Sequence, residues 1–178
     1  MSSTGSSPVG EDACLPHSED ALREAVRLLG ETAELAGELA RTLTVDPSPR
    51  FRKALLQAML VSERCLIGFV CGPKASRHPK TGEWRRRPDD VCPQCFISGW
   101  RLENKELRTL LEVREGKIGK QIAHLTWPQV EQPREWTINK VDLAIRALAI
   151  FAGDLEITRP ELGTILRSHL ERAGQSAS

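Results

Sequence analysis

The chain has 178 residues, of which 40% are hydrophobic and 28% charged, an ordinary balance for one soluble globular domain. Its 25 basic and 24 acidic residues leave a net charge of +1, so global charge favours neither nucleic acid nor a membrane surface as the partner. The N-terminus lacks the basic and apolar regions of a signal peptide, and no uncharged apolar run approaches the length of a membrane-spanning helix. We therefore expect a cytoplasmic protein.

Cysteine and aromatic content narrow the function classes further. Five cysteines, an odd number in a chain without a secretion signal, are expected to be reduced thiols rather than a disulfide framework. The chain has no tyrosine, four phenylalanines and four tryptophans, which is too few for a platform that stacks nucleic-acid bases.

The first helix follows a tail. Residues 1–17 are rich in Ser, Gly and Pro, which predicts a disordered segment. Ser18 is a candidate N-cap with acidic residues behind it, and Gly30 and Gly37 either weaken the helix or let a neighbour approach closely. The apolar residues that recur at helical spacing are Leu22, Val26, Leu29, Ala33, Ala36, Leu39 and Leu43.

A second helix is predicted from about Pro49 to Cys71, because proline is tolerated in a first helical turn and Gly72-Pro73 ends the pattern. Cys65, in its middle, is predicted to be a small buried side chain. The predicted core face consists of Phe51, Leu55, Met59, Leu66, Phe69 and Val70.

An irregular basic loop follows the second helix. Glu83 is the only acid between Lys74 and Arg87, so the local charge of this segment is 6 − 1 = +5. The loop is a candidate contact for a phosphate backbone, and the alternative is a solvated surface loop. Its basic residues are Lys74, Arg77, Lys80, Arg85, Arg86 and Arg87.

The stretch from Glu103 to Trp127 is predicted to be the helix around which the chain is organised, because it lacks proline and carries two stripes. The apolar stripe, expected to face the core, comprises Leu107, Leu111, Ile118, Ile122 and Leu125. The second stripe, on a neighbouring flank, comprises Glu106, Val113, Lys117, Lys120 and His124, and Arg114 lies between the two.

Two more helices complete the predicted fold. One runs from Thr137 to about Leu155 and is apolar around most of its circumference, which predicts that it is buried among the others. The last begins with a capping box of Thr158 and Glu161 and ends near Ala173, leaving residues 174–178 as a frayed tail. Five helices without an alternating strand pattern predict an all-α, up-and-down helical bundle as a single domain of residues 18–173.

The most visible motif is Cys92-Pro93-Gln94-Cys95. Two thiolates at this spacing are half of a tetrahedral zinc site, and Cys71 with His78 would supply the other half. Zinc ribbons usually pair two tight knuckles, whereas Cys71 and His78 are separated by six residues, so the pattern favours coincidence over a metal. Redox chemistry would call for a neighbouring strand, which the sequence does not predict.

A second constellation lies on the central helix. A histidine moves protons near neutral pH, and fixed cations stabilise charge that builds on a phosphate in a transition state. Cleavage of RNA without a metal needs no more, because the 2′-hydroxyl of the substrate is the nucleophile. His124 with Lys117, Lys120 and Arg114 is therefore a candidate catalytic group. The alternative is a histidine that caps the last carbonyls of its helix beside solvated lysines.

Several segments between about residues 50 and 155 resemble HEPN-like helical proteins of prokaryotic abortive-infection and toxin–antitoxin systems. One is KIGKQIAHLTW, which is followed by Trp136 and then an apolar helix. Upstream, a helix ending in CLIGFVCG is followed by a variable basic loop, then RRPDDVCPQCF and a tryptophan. The order of helix, loop, Asp-Asp, short helix and Trp is similar to that of the family.

The resemblance implies a site and an assembly. RNase-active members carry an arginine and a histidine separated by four to six residues; here the histidine is His124, and Lys117 stands at the arginine position. Lysine keeps the charge but lacks the planar fork that grips a phosphate. Active members pair their motif helices across a shared cleft, which implies a homodimer or a partner protein, and no cofactor. In the family, Cys92 and Cys95 fall where no cysteine is required.

Three functions remain open from the sequence. The first is a HEPN-like protein of defence or toxin–antitoxin type, either a metal-independent endoribonuclease or its degenerate homologue, with RNA as partner. The second is the same bundle as a non-catalytic binding or regulatory module that uses the basic loop or the surface of the bundle. The third is a small regulator stabilised by zinc at Cys71, His78, Cys92 and Cys95.

Overall fold

Five α-helices carry most of the chain in the computed structural model, which describes residues 17–45, 48–72, 76–77, 84–85, 91–123 and 141–175. The helices within these ranges are α1 (Glu19–Thr44), α2 (Pro49–Cys71), α3 (Lys105–Ala123), α4 (Val141–Thr158) and α5 (Pro160–Gln175). A short 3₁₀ turn spans Pro93–Cys95. The prediction of an all-α helical bundle is confirmed.

Helix α1 forms as its sequence predicts. The Ser18 hydroxyl accepts a hydrogen bond from the backbone N–H of Ala21, and Glu19 and Asp20 occupy the first turn, where the helix dipole favours acidic groups. Six of the seven predicted apolar residues are buried and Leu29 is partly buried, so the 3.6-residue period correctly identified the core face.

Helix α2 begins at Pro49 and ends at Cys71, as predicted, and Gly72 then adopts a φ of +77°. Two predictions for its side chains are wrong. Phe51 is 67% exposed because the first turn of α2 lies outside the packed layer, which begins at Leu55 and is complete at Met59. Cys65 is exposed because its position lies about 120° around the helix from the buried row of Met59 and its successors.

The first and the last helix run parallel. Arg23 pairs with Glu161 near the start of both helices, and Glu34 pairs with His169 and Arg172 farther along both. Helix α1 therefore packs between α2 and α5, while α4 contacts every other helix. The apolar circumference of α4 correctly predicted this central position, and Phe151 and Leu155 are fully buried.

The predicted capping box at the start of α5 does not form. Helix α4 continues through Thr158, so the Thr158 hydroxyl donates back to the carbonyls of Asp154 and Leu155 within its own helix. The carbonyl of Arg159 instead accepts the first hydrogen bond of α5, from the N–H of Gly163. α5 also continues to Gln175, two residues beyond its predicted end.

The basic segment contains one element that the sequence did not predict. Strands β1 (Ser76–Arg77) and β2 (Trp84–Arg85) pair antiparallel, with Ser76 opposite Arg85 and Arg77 opposite Trp84. The predicted irregular loop is thus partly a short hairpin.

Only α2, among the described helices, is long and apolar enough to cross a membrane, from Phe51 to Cys71. Length and composition are weak support for a span, because the core helix of a soluble protein has the same properties. In this bundle α2 packs against α1, α3 and α4 and carries the buried Glu63. The fold is compatible with a soluble protein, and the cytoplasmic location stays a prediction.

Candidate functional site

Helix α3 is anchored to the bundle along its apolar stripe. Its start is fixed by Asn104, whose side-chain oxygen accepts a hydrogen bond from the N–H of Leu107 at 2.9 Å. Leu107, Leu111 and Ile118 are buried, which confirms that part of the predicted core face. The side chains of Ile122 and Leu125 lie outside the described residues.

The flank of α3 beside this buried row is exposed to solvent. Glu106, Val113 and Lys117 of the predicted second stripe are exposed, and Leu110 joins them. At 100° per residue these four positions fall within about 60° of one another. We call them the α3 stripe. The sequence prediction missed Leu110, although its spacing from Glu106 and Val113 places it on the same face.

Arg114 does not belong to this exposed surface. Its side chain is 5% exposed, and its Nε and Nη2 donate to the two carboxylate oxygens of Glu63 at 2.7 Å each. The carboxylate of Glu63 on α2 is itself fully buried. This paired, two-point geometry is typical of an internal ion pair, so the side chain of Arg114 is not placed to meet a phosphate at the surface.

Sequence periodicity contained the signal for this pair, which our prediction missed. Glu63 follows Met59 by four residues and precedes Leu66 by three, so it lies inside the buried row of α2. Arg114 follows Leu111 by three residues and precedes Ile118 by four, so it lies inside the buried row of α3. Two opposite charges in the core rows of neighbouring helices predict a buried pair, because a lone buried charge is costly.

Of the remaining candidate catalytic residues, the structure describes only the backbone of Lys120 and nothing of His124. The backbone of Lys120 lies in α3 three residues after Lys117, which places the two positions on one face. The side chain of Lys120 and the whole of His124 lie outside the described residues, and the described helix ends at Ala123. The predicted roles of these two residues therefore stay predictions.

The candidate nucleic-acid contact is described only in part. Arg77 and Arg85 lie on the two adjacent strands, diagonally across the pair. Lys74, Lys80, Arg86 and Arg87 lie outside the described residues, and so do the side chains of the two strand arginines. The pairing places two of the six basic positions next to each other, whereas the sequence placed them eight residues apart.

The CPQC motif forms a compact turn held by an aromatic cluster. The N–H of Cys95 donates to the carbonyl of Cys92 at 3.0 Å, and the two Sγ atoms lie 3.2 Å apart. Phe96, the next residue, contacts the rings of Phe69 on α2 and Phe151 on α4. Cys92 is fully buried and Cys95 partly so.

The positions of the cysteines test part of the predicted zinc site. Within the described ranges, no three His, Cys, Asp or Glu side chains gather as metal ligands, although Cys71, Cys92 and Cys95 are all described. His78 lies outside these ranges, so the set of four ligands stays a prediction.

No protein-family model, curated protein or solved structure matches the chain. The similarity to HEPN-like proteins thus depends on the short motifs of the sequence. Any function proposed for the chain is therefore inferred from the positions of the residues on α3.

Proposed function

We propose that the protein is a HEPN-like helical protein of prokaryotic defence or toxin–antitoxin type that cleaves RNA without a metal ion. His124 serves as the acid or base, and Lys117 and Lys120 bind the phosphate. The observation that carries the proposal is the position of Lys117. It is exposed on the outer side of a helix whose inner side is fixed to the core, seven residues before His124.

The proposed chemistry follows from the residue types. A neutral imidazole at His124 takes the proton of the RNA 2′-hydroxyl, whose oxygen attacks the adjacent phosphorus and displaces the 5′-oxygen of the next nucleotide, which takes up a proton from water as it leaves. The ammonium groups of the two lysines offset the negative charge that builds on the phosphate oxygens. Because lysine provides a point charge rather than a bidentate fork, we expect slower cleavage than an arginine would support.

In this proposal Arg114 is a positioning residue. Its ion pair with Glu63 lies between α2 and α3, one turn before Lys117, and helps to fix the rotation of α3 about its axis. That rotation decides which side chains α3 turns outward. Arg114 thus supports the site without contacting RNA.

The proposal includes a homodimer through the α3 stripe, in which each copy keeps its own RNA site instead of sharing the cleft that the resemblance implies. Two copies of α3 packed antiparallel about a twofold axis would place Glu106 opposite Lys117 of the other copy, with Leu110 opposite Val113. Charges of opposite sign at the ends and apolar residues in the middle make the stripe complementary to itself. The stripe is narrow compared with the roughly 800 Å² per partner of a stable interface, so we expect a weak dimer.

The decisive experiment incubates the full chain with RNA in EDTA. We expect cleavage to leave 2′,3′-cyclic phosphate ends, His124→Ala to abolish it, and Lys117→Ala to reduce it by about 10-fold or more. Lys105→Ala is the matched control, because Lys105 is an exposed lysine on the same helix outside the stripe. Cleavage that survives His124→Ala unchanged would show that the proposed site is wrong.

A non-catalytic binding module is the second candidate, favoured by the burial of Arg114. With that side chain in the core, Arg108 is the only exposed arginine in the described part of α3, where Lys105 and Lys117 are also exposed. RNA binding in a gel-shift assay without cleavage, weakened by Arg77→Ala together with Arg85→Ala, would support this function over the enzyme.

A further inference from the structure

A pair of thiols outside the proposed RNA site is placed for reversible oxidation. Cys92 and Cys95 lie in one tight turn, and the 3.2 Å between their Sγ atoms is about 1.2 Å longer than a disulfide bond. We propose that Cys92 and Cys95 form a dithiol–disulfide couple that exchanges with small disulfides such as oxidised glutathione.

The turn is held in this shape by its surroundings. Pro93 restricts its backbone, and the N–H groups of Cys95 and Phe96 donate to the carbonyls three residues earlier. The side-chain amide of Gln94 donates to the carbonyl of Trp100 at 2.6 Å. The Trp100 ring in turn donates from Nε1 to Asp154 on α4. The thiols are therefore kept close together in the reduced protein, which lowers the entropy cost of closing the bond.

Burial assigns different roles to the two sulfurs. Cys92 is fully buried, whereas Cys95 is partly exposed, so a small disulfide can reach Cys95 first. The Cys95 thiolate attacks one sulfur of the small disulfide, forms a mixed disulfide and releases one small thiolate. The Cys92 thiolate then attacks the Cys95 sulfur and displaces the second small thiolate. The two protons lost by the cysteines pass to the two released thiols, so one disulfide is exchanged for another.

The described geometry favours this couple over a zinc site. Two thiolates on a tetrahedral zinc at about 2.3 Å would hold their sulfurs about 3.8 Å apart, and the observed separation is shorter. A zinc would also need two further ligands, and in the described ranges no group of three His, Cys, Asp or Glu side chains is arranged to hold a metal ion. A disulfide needs only the two cysteines.

The test treats the folded chain with oxidised glutathione, blocks the remaining thiols and analyses tryptic peptides by mass spectrometry. We expect the peptide of residues 87–101 to lose the mass of two hydrogens and to carry no glutathione. Reduced glutathione in excess should restore the original mass. Cys65, an exposed thiol on α2, is the internal control and should keep a glutathione adduct.

Two variants separate the roles of the sulfurs. Cys92→Ser should leave glutathione attached to Cys95, because the second thiolate is missing. Cys95→Ser should leave the peptide unmodified, because the remaining thiol is buried. Equal glutathione adducts on both single variants would contradict the order of attack.

Two results for the wild-type chain would overturn the couple whatever the variants do. One is an unmodified 87–101 peptide while Cys65 carries glutathione. The other is stoichiometric zinc in the purified protein together with protection of both thiols, which would assign the turn to a metal. Neither result bears on RNA cleavage, which is measured separately.

Discussion

At the scale of single residues, the ion pair of Glu63 and Arg114 is the most consequential contact in the bundle. Both side chains lie in the core, where a charge without a partner is strongly unfavourable, whereas a well-paired one is close to neutral for stability. The two-point contact offsets much of the desolvation of both groups. It also links α2 to the helix that carries the proposed site.

We expect Glu63→Leu to lower the free energy of unfolding by about 3–5 kcal/mol, because it removes the carboxylate that faces the buried guanidinium. Chemical denaturation followed by circular dichroism measures the loss. The double variant Glu63→Leu with Arg114→Met should recover most of it, since no charge is then left in the core. The matched control is Glu112→Ala, which breaks the exposed pair with Arg108 and should cost at most about 0.5 kcal/mol. Equal losses for the two single variants would contradict the assigned burial.

At the scale of elements, helices α1 and α5 approach closely because two glycines of α1 face α5. A Cβ on Gly30 would collide with the His169 ring, and one on Gly37 would lie 2.8 Å from the backbone carbonyl oxygen of Ala173. The sequence left two interpretations open for these glycines, a weakened helix or the close approach of a neighbour, and the close approach is confirmed. The contact at Gly37 is the stricter one, because a backbone atom cannot move aside as a side chain does.

Gly37→Ala should therefore destabilise the protein by about 1–3 kcal/mol, because α1 and α5 must separate to admit the methyl group. Gly68→Ala on α2 is the matched control: its Cβ meets no atom within 4 Å, and alanine favours the helix by about 0.5–1 kcal/mol. The melting temperatures of the two variants should thus shift in opposite directions from that of the wild type. A shift in the same direction would exclude the close contact as the cause.

The same helix pair contains a pH-sensitive contact. Glu34 is partly buried, which opposes its ionisation, but hydrogen bonds from Arg172 and His169 outweigh this effect and hold the pKa of the carboxyl below its ordinary value of 4.5. A carboxyl with a lowered pKa in the folded state stabilises the fold above pH 4.5. That contribution is lost as pH falls through the lowered pKa.

We expect Glu34→Gln to lower stability at pH 7 by no more than about 1 kcal/mol, because solvent screens the partly exposed group. The variant should also lose less stability than the wild type between neutral pH and pH 3, since it has no carboxylate to protonate there. Melting temperatures measured across this range test the prediction. Glu38→Gln, at an exposed position on the same helix, should follow the wild-type curve.

At the scale of the whole molecule, α3 lies at the side of the described bundle. It packs mainly against α2 and less against α4, so much of its surface is free of the other described helices. Two of the exposed large apolar side chains of the protein, Leu110 and Val113, lie there between Glu106 and Lys117. The described helices therefore leave the α3 stripe uncovered, as the proposed dimer requires.

We expect light scattering to show a dimer whose fraction rises with protein concentration. Glu106→Lys or Lys117→Glu alone should weaken it by roughly ten-fold, since each symmetric pair occurs twice. The combined reversal should restore it, because opposite charges again face each other. A monomer at every concentration, or a dimer that the single reversals leave intact, would exclude the stripe as the interface.

The sequence by itself determined the helices of this protein and most of their inner faces. Ser18 marks the start of α1, and the period of its apolar residues identifies the buried side, because a helix repeats every 3.6 residues whatever surrounds it. The same reasoning placed α2 correctly and predicted the central position of α4.

Only the tertiary structure decided which neighbours cover each face. It left Phe51 and Cys65 exposed, although both lie in an apolar helix. It also placed Arg114 in the core, paired with Glu63, while Lys117 on the same helix is exposed. Periodicity gives the direction of a side chain from its own helix axis, but burial depends on what another helix, distant in sequence, places in front of it.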